Sequence, residues 1–131
     1  MEDKIFSSDR PFRVWDYLVS HDQLLLRSAK IKGFERNIDV IFFGVSYIQL
    51  HTVLSGVTIS KIDPPDEEVA YESIKKYLKH EGNKLFQVAS ANERYLIVAA
   101  FVRVFENALE FDETSLGFTE LGRENEITAI N

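Results

Sequence analysis

The chain has 131 residues, 45 % hydrophobic and 27 % charged, with no cysteine and a net charge of −6. That length suits a single globular domain spanning 1–131 that buries its core without covalent staples. The missing cysteine excludes disulfides, thiolate metal sites and cysteine nucleophiles, as expected of a chain that works in a reducing, cytoplasmic setting.

The charge is uneven. Residues 1–62 hold 8 basic and 7 acidic side chains, residues 63–131 hold 7 and 14, and from Glu106 onward seven acidic residues stand against Arg123 alone. This balance weighs against nucleic acid as a partner, since neutralising phosphates needs clustered Lys and Arg. The acidic end reads either as a frayed, solvated tail over 118–131 or as a docking surface for a basic protein. No stretch approaches the ~18 apolar residues of a membrane span. The acidic start Met1-Glu2-Asp3-Lys4 is not that of a secretory signal.

In chain order, the polar residues 1–11, with Ser7-Ser8-Asp9 and Pro11, predict a loose lead-in. Phe12 to Ser20 and Gln23 to Lys30 predict a hairpin about His21-Asp22. Counting outward from that turn sets Asp16 across from Arg27, Leu18 across from Leu25, and Trp15 and Tyr17 on the other face. A longer loop would shift this register, because His-Asp is not a favoured two-residue turn. Ile38 to Phe43 and Val45 to His51 are apolar runs separated by Gly44, which marks either a tight turn or a bend in one long strand. Val53 to Ile62 predicts another strand, with a bulge at Gly56.

Asp63-Pro64-Pro65-Asp66 ends that strand and can open a helix, since proline is tolerated in the first turn and acids there suit the dipole. Ala70, Ile74, Tyr77 and Leu78 form one apolar stripe, and Gly82 follows as a stop, predicting an amphipathic helix over about 65–80. Leu85 to Ser90 and Arg94 to Glu106 then predict a hairpin. The second run, Tyr95 to Phe105, is the most apolar in the chain, and its β-branched and aromatic content favours strand over helix. On a strand, Arg103 would share a face with Ile97, Ala99, Phe101 and Phe105 and would have to reach an acid or the sheet margin. Leu109 and Phe111 suggest one last short strand.

The architecture that follows is α+β: about seven or eight antiparallel strands in a curved sheet or partly open barrel, with the 65–80 helix packed across it. No nucleophile elbow, phosphate loop or metal-ligand spacing is present, and His21, His51 and His80 have no ligand partner at i+2 or i+4, so neither a cofactor nor a metal is expected. Trp15, Asp16, Tyr17, Arg27, Tyr47 and His51 are the candidate binding residues. Aromatic and charged side chains on a sheet face make interface anchors when exposed and core or pairing residues when covered.

The expected function is a non-catalytic interaction module, an adaptor or an inhibitor-like (immunity-type) protein. The alternative is a small-molecule binder or small enzyme with its pocket between helix and sheet, using Asp16, Arg27 and His51. A third reading is a self-associating homo-oligomer built on strand edges or the apolar hairpin.

Overall fold

The computed structural model describes residues 2–63 and 72–130. Among these, β1 (Glu2–Leu18), β2 (Gln23–Ser28), β3 (Asn37–Phe43), β4 (Tyr47–Gln49), β5 (Val53–Ile62), β6 (Lys84–Ser90), β7 (Glu93–Ala99), β8 (Phe101–Asn107) and β9 (Asn125–Ile130) form one antiparallel sheet. One helix, α1 (Glu72–Leu78), precedes β6. The strand order is open, β4-β7-β6-β5-β1-β2-β3-β8-β9. The α+β class and the antiparallel sheet are as expected, but the described residues form nine strands and the described helix has only seven residues. Residues 65–71 of the predicted helix lie outside the described residues, and the turn after Leu78 is closed by Asn83 N–H donating to the His80 carbonyl at 3.1 Å.

Two bends roll the sheet. β3 and β4 are one stretch of chain bent at Gly44, and β7 and β8 are another bent at Ala100. The two stretches pair along both arms, Phe43 opposite Phe101 before the corner and Tyr47 opposite Val98 after it. Across the corner, Ala100 N–H donates to the Phe43 carbonyl at 2.8 Å and Ser46 N–H to the Val98 carbonyl at 2.9 Å. Because β4 and β7 lie at one end of the strand order and β3 and β8 near the other, the sheet curls until its two ends meet at this corner.

Each bend inserts one residue and so reverses the inside–outside alternation. Val40 and Phe42 point into the core, but so does Val45; Ile97 and Ala99 point in, but so do Val102 and Val104. The run from Tyr95 to Phe105 is therefore strand as expected, yet Arg103 does not share a face with Ile97 and Ala99. It lies on the outer face and donates to Glu126 of β9, Nε to Oε2 at 3.0 Å and Nη2 to Oε1 at 2.7 Å.

The interior of the roll is packed with Phe12, Leu24, Leu26, Phe42, Phe86, Ile97 and their neighbours, drawn from seven of the strands. Two patches on the outside need covers. Over one, Ile74 of α1 packs against Leu85 and Val98, with Tyr47, Ile62 and Leu96 around it. The described part of the helix thus sits on the convex side, with Ile74 in direct contact with the sheet. Over the other, the segment 108–124 seats Leu116 on Leu25, Ile41, Phe43 and Phe105.

Four further expectations are corrected. Residues 2–11 are not a loose lead-in but part of β1, paired with β5 from Glu2 opposite Ile62 to Arg13 opposite Val53. Their polar composition misleads because a ladder needs only backbone groups, and Pro11 falls at a register shift, where its missing N–H is tolerated. The acidic end likewise returns to the sheet as β9, while Leu109 and Phe111 lie outside any strand. In the first hairpin a 3-10 turn, Val19–His21, and Asp22 at φ 49° lengthen the loop, so the strands close at Leu18 opposite Gln23. A bulge at Trp15 then sets Asp16 opposite Leu25 and Arg13 opposite Arg27, and the expected Asp16–Arg27 pair does not form.

Candidate functional site

The outer face of β2, β3 and β8 carries a buried polar network that fastens the irregular segment 108–124. Arg27 and Asp39 are cross-strand neighbours. Arg27 Nε donates to Asp39 Oδ1 at 2.7 Å and Nη2 to Oδ2 at 2.9 Å, with the two side chains 1 % and 0 % exposed. Desolvating such a pair is costly unless its remaining hydrogen-bonding capacity is used. Here it is: Asp39 Oδ2 also accepts from Ser115 Oγ at 2.7 Å and Asn107 Nδ2 at 2.9 Å, and Arg27 Nη1 donates to the Glu113 carbonyl at 2.9 Å.

The same side chains and their neighbours satisfy the segment's backbone. Asn37 Nδ2 donates to the Leu109 carbonyl at 2.9 Å, Asn107 Nδ2 to the Gly122 carbonyl at 3.1 Å, and Gly117 N–H to Gln23 Oε1 at 2.8 Å. Arg123 closes the return with Nη2 donating to the Gly117 carbonyl at 2.6 Å and to the Thr119 carbonyl. Buried backbone groups need such partners where no ladder supplies them. A stretch without regular secondary structure is thereby held in one conformation.

This fastened segment presents two phenylalanines to water, Phe111 at 82 % exposure and Phe118 at 87 %. Glu110, Asp112, Glu120 and Glu124 lie beside them and are also exposed. Each ring is propped at its base: Phe111 stands edge-on to Trp15 with centroids 5.1 Å apart, and Phe118 edge-on to His21 at 4.0 Å. Lys30 forms a salt bridge with Glu110 at 3.2 Å.

Trp15 separates two shallow clefts. One, of about 180 Å³, runs between Trp15, Lys30, Leu109 and Phe111. The other, of about 140 Å³, is lined by Pro11, Arg13, Trp15, Ala29, Ile31 and Phe34. Its outer wall is the tip of the β2–β3 connection, where Ile31 and Phe34 exchange two backbone hydrogen bonds of 2.9 and 2.8 Å. Both of those side chains are exposed, and Arg10 lies over the Phe34 ring at 4.5 Å.

The six residues singled out from sequence do not make one site. Trp15 and Arg27 do meet, with the guanidinium 5.2 Å from the ring centroid, but Arg27 is spent on Asp39. Asp16 is half-buried and has no salt bridge among the described residues. The Tyr17 hydroxyl donates to Asp22 Oδ1 at 3.3 Å, and burial, with the Asp22 charge and this bond adding to it, pushes its pKa up. Tyr47 packs against Tyr77 of α1, and His51 stands exposed with its Nδ1 accepting from Val53 N–H at 3.1 Å. Sequence gives these residues of the 108–124 face no site role: Asp39 falls within an apolar run, Phe111 reads with Leu109 as a short strand, and Phe118 is an isolated aromatic in a patternless acidic stretch. That isolation was the only signal, since an aromatic with no periodic partners has no predicted cover.

Among the described residues no group of three His, Asp or Glu side chains stands close enough to hold a metal ion, and no helix is long and apolar enough to cross a membrane. Comparison with protein-family models, with curated proteins and with solved structures found no match.

Proposed function

We propose that the chain is a non-catalytic protein-interaction module that holds residues 108–124 as a rigid, acidic, aromatic face for a basic protein partner. The observation that carries this reading is the exposure of Phe111 and Phe118 on a segment whose backbone is fastened by buried hydrogen bonds. Each exposed phenylalanine forgoes roughly 1.5–3 kcal/mol of burial, which association can recover. Preorganisation keeps that gain from being spent on ordering a loop. The carboxylates of Asp112, Glu120 and Glu124 select a partner of opposite charge and speed its encounter. Work in a reducing compartment such as the cytoplasm fits the lack of cysteine.

Capture from native extract by the immobilised chain, at low and at high salt, tests the class of function. The expected result is a basic protein retained at low salt and released at high salt. Retention of no salt-sensitive protein in any native extract would count against it.

A further inference from the structure

We propose that the cleft beside Trp15 receives Phe118 of a second copy, so that the chain self-associates. This goes beyond the partner reading above and does not depend on it, since it concerns the purified chain alone. The cleft, about 140 Å³ and walled by Pro11, Trp15, Ala29, Ile31 and Phe34, has the size and lining for a single aromatic ring; an apolar cavity of ~150 Å³ holds benzene. It is too small for a drug-sized ligand, whose pockets run to several hundred Å³. At its rim Arg13 is exposed and forms no salt bridge among the described residues.

What belongs there is indicated by the chain itself. On its other side Trp15 already receives an acid-flanked phenylalanine: Phe111 meets it edge-on at 5.1 Å while the neighbouring Glu110 pairs with Lys30 at 3.2 Å. Phe118, followed by Glu120, repeats that chemistry, is 87 % exposed, and Glu120 forms no salt bridge among the described residues. Ring into cleft and Glu120 toward Arg13 complete the same pairing in trans.

Phe118 cannot serve its own cleft. It rests on His21 beyond the start of β2 at Gln23, whereas the cleft lies at the other end of that strand, against Arg27, Ser28 and Ala29. Four residues of strand, Gln23 to Leu26, separate them, roughly 13 Å. Such a contact gives a two-fold dimer when two copies exchange rings, and rings or open chains when each copy serves the next.

Sedimentation over a concentration series, with the emission of the only tryptophan followed in parallel, tests this. The wild-type chain is expected to gain mass with concentration while Trp15 emission shifts to the blue. Phe118→Ser should weaken association about tenfold or more, as loss of an anchor does. Arg13→Glu should weaken it as well, and Arg13→Glu with Glu120→Arg should restore most of it. Mixing the Phe118→Ser chain, whose cleft is intact, with the Arg13→Glu chain, whose Phe118 is intact, should give heterodimers and nothing larger. A chain that stays monomeric at every concentration overturns the proposal, and so does association that Phe118→Ser leaves unchanged.

Discussion

Arg27 and Asp39 stand opposite each other on β2 and β3 and meet through two hydrogen bonds, of 2.7 and 2.9 Å, with neither side chain open to water. The pair is the root of the 108–124 segment, because the remaining acceptor capacity of Asp39 and a remaining donor of Arg27 are used by Ser115, Asn107 and Glu113. Stability and the presented face are thus coupled through one buried carboxylate.

Removing that carboxylate leaves a buried guanidinium unpaired, so Asp39→Ala should cost about 3–5 kcal/mol in urea unfolding. The double variant Arg27→Met with Asp39→Leu should lose less than Asp39→Ala alone, since no charge is then stranded. Ser115→Ala, which deletes one of the segment's ties to the buried pair, should cost ~1–3 kcal/mol. It should also raise hydrogen exchange in residues 108–124 while leaving β2 and β3 protected. Uniform exchange across all of these would show that the segment is not an appended, separately fastened unit.

The corner at Gly44 gives a second expectation. Gly44 has φ +65°, and a Cβ there would lie 3.0 Å from the Cβ of Ala100. Gly44→Ala should therefore cost about 1–3 kcal/mol from backbone strain and crowding together. In a double-mutant cycle Ala100→Gly should recover part of the loss, because it removes the contact but not the strain. Strict additivity of the two changes would mean that the bends do not press on each other.

Arg103 and Glu126 supply a pH-dependent pair. Hydrogen bonds from Arg103 hold the Glu126 carboxyl below its ordinary value of 4.5, partly opposed by burial and aided by the Arg103 charge. A carboxyl whose pKa is lowered on folding contributes stability above its unfolded value and loses it as pH falls through the folded value. The pair lies near the surface, so its worth is below about 1 kcal/mol. An NMR titration should place the Glu126 midpoint below 4.5, and Arg103→Leu should move it back up. No movement would separate β9 from Arg103.

Phe111→Ser and Phe118→Ser should each leave stability within about 0.5 kcal/mol of wild type, the usual range for surface changes. Phe42→Ala, at a fully buried ring, should cost ~3–5 kcal/mol. A large loss at Phe111 or Phe118 would mark it as structural.

Much of the strand content was legible because alternation and β-branched runs report burial directly, as at Val53–Ile62 and in the hairpin of β6 and β7. Gly56 was legible as an irregular position but not as the bulge itself: the extra residue lies opposite it on β1, between Ser8 and Pro11, while Gly56 takes a φ of +74°. What periodicity could not carry across was a change of phase. Gly44 signals a bend without saying which face follows it, and Ala100 gives no signal at all, so Arg103 is rightly set beside Phe101 and Phe105 and in reach of an acid, but wrongly on one face with Ile97 and Ala99. At Trp15 a bulge and a lengthened turn moved Arg27 from Asp16 to Asp39, a partner twelve residues away. The 108–124 face was illegible for a different reason: it is built by side chains bonding backbone over long separations, Ser115 to Asp39 and Gln23 to Gly117, and such contacts leave no local pattern.

The most direct test of the central claim is the affinity of a captured basic partner for the wild-type chain and for the Phe111→Ser, Phe118→Ser double variant, measured at low salt with thermal midpoints in parallel. Loss of affinity by about thirtyfold or more, the ~2 kcal/mol of a hot-spot truncation, with an unchanged midpoint is the predicted result. Equal affinity of the two chains would contradict a binding face on residues 108–124.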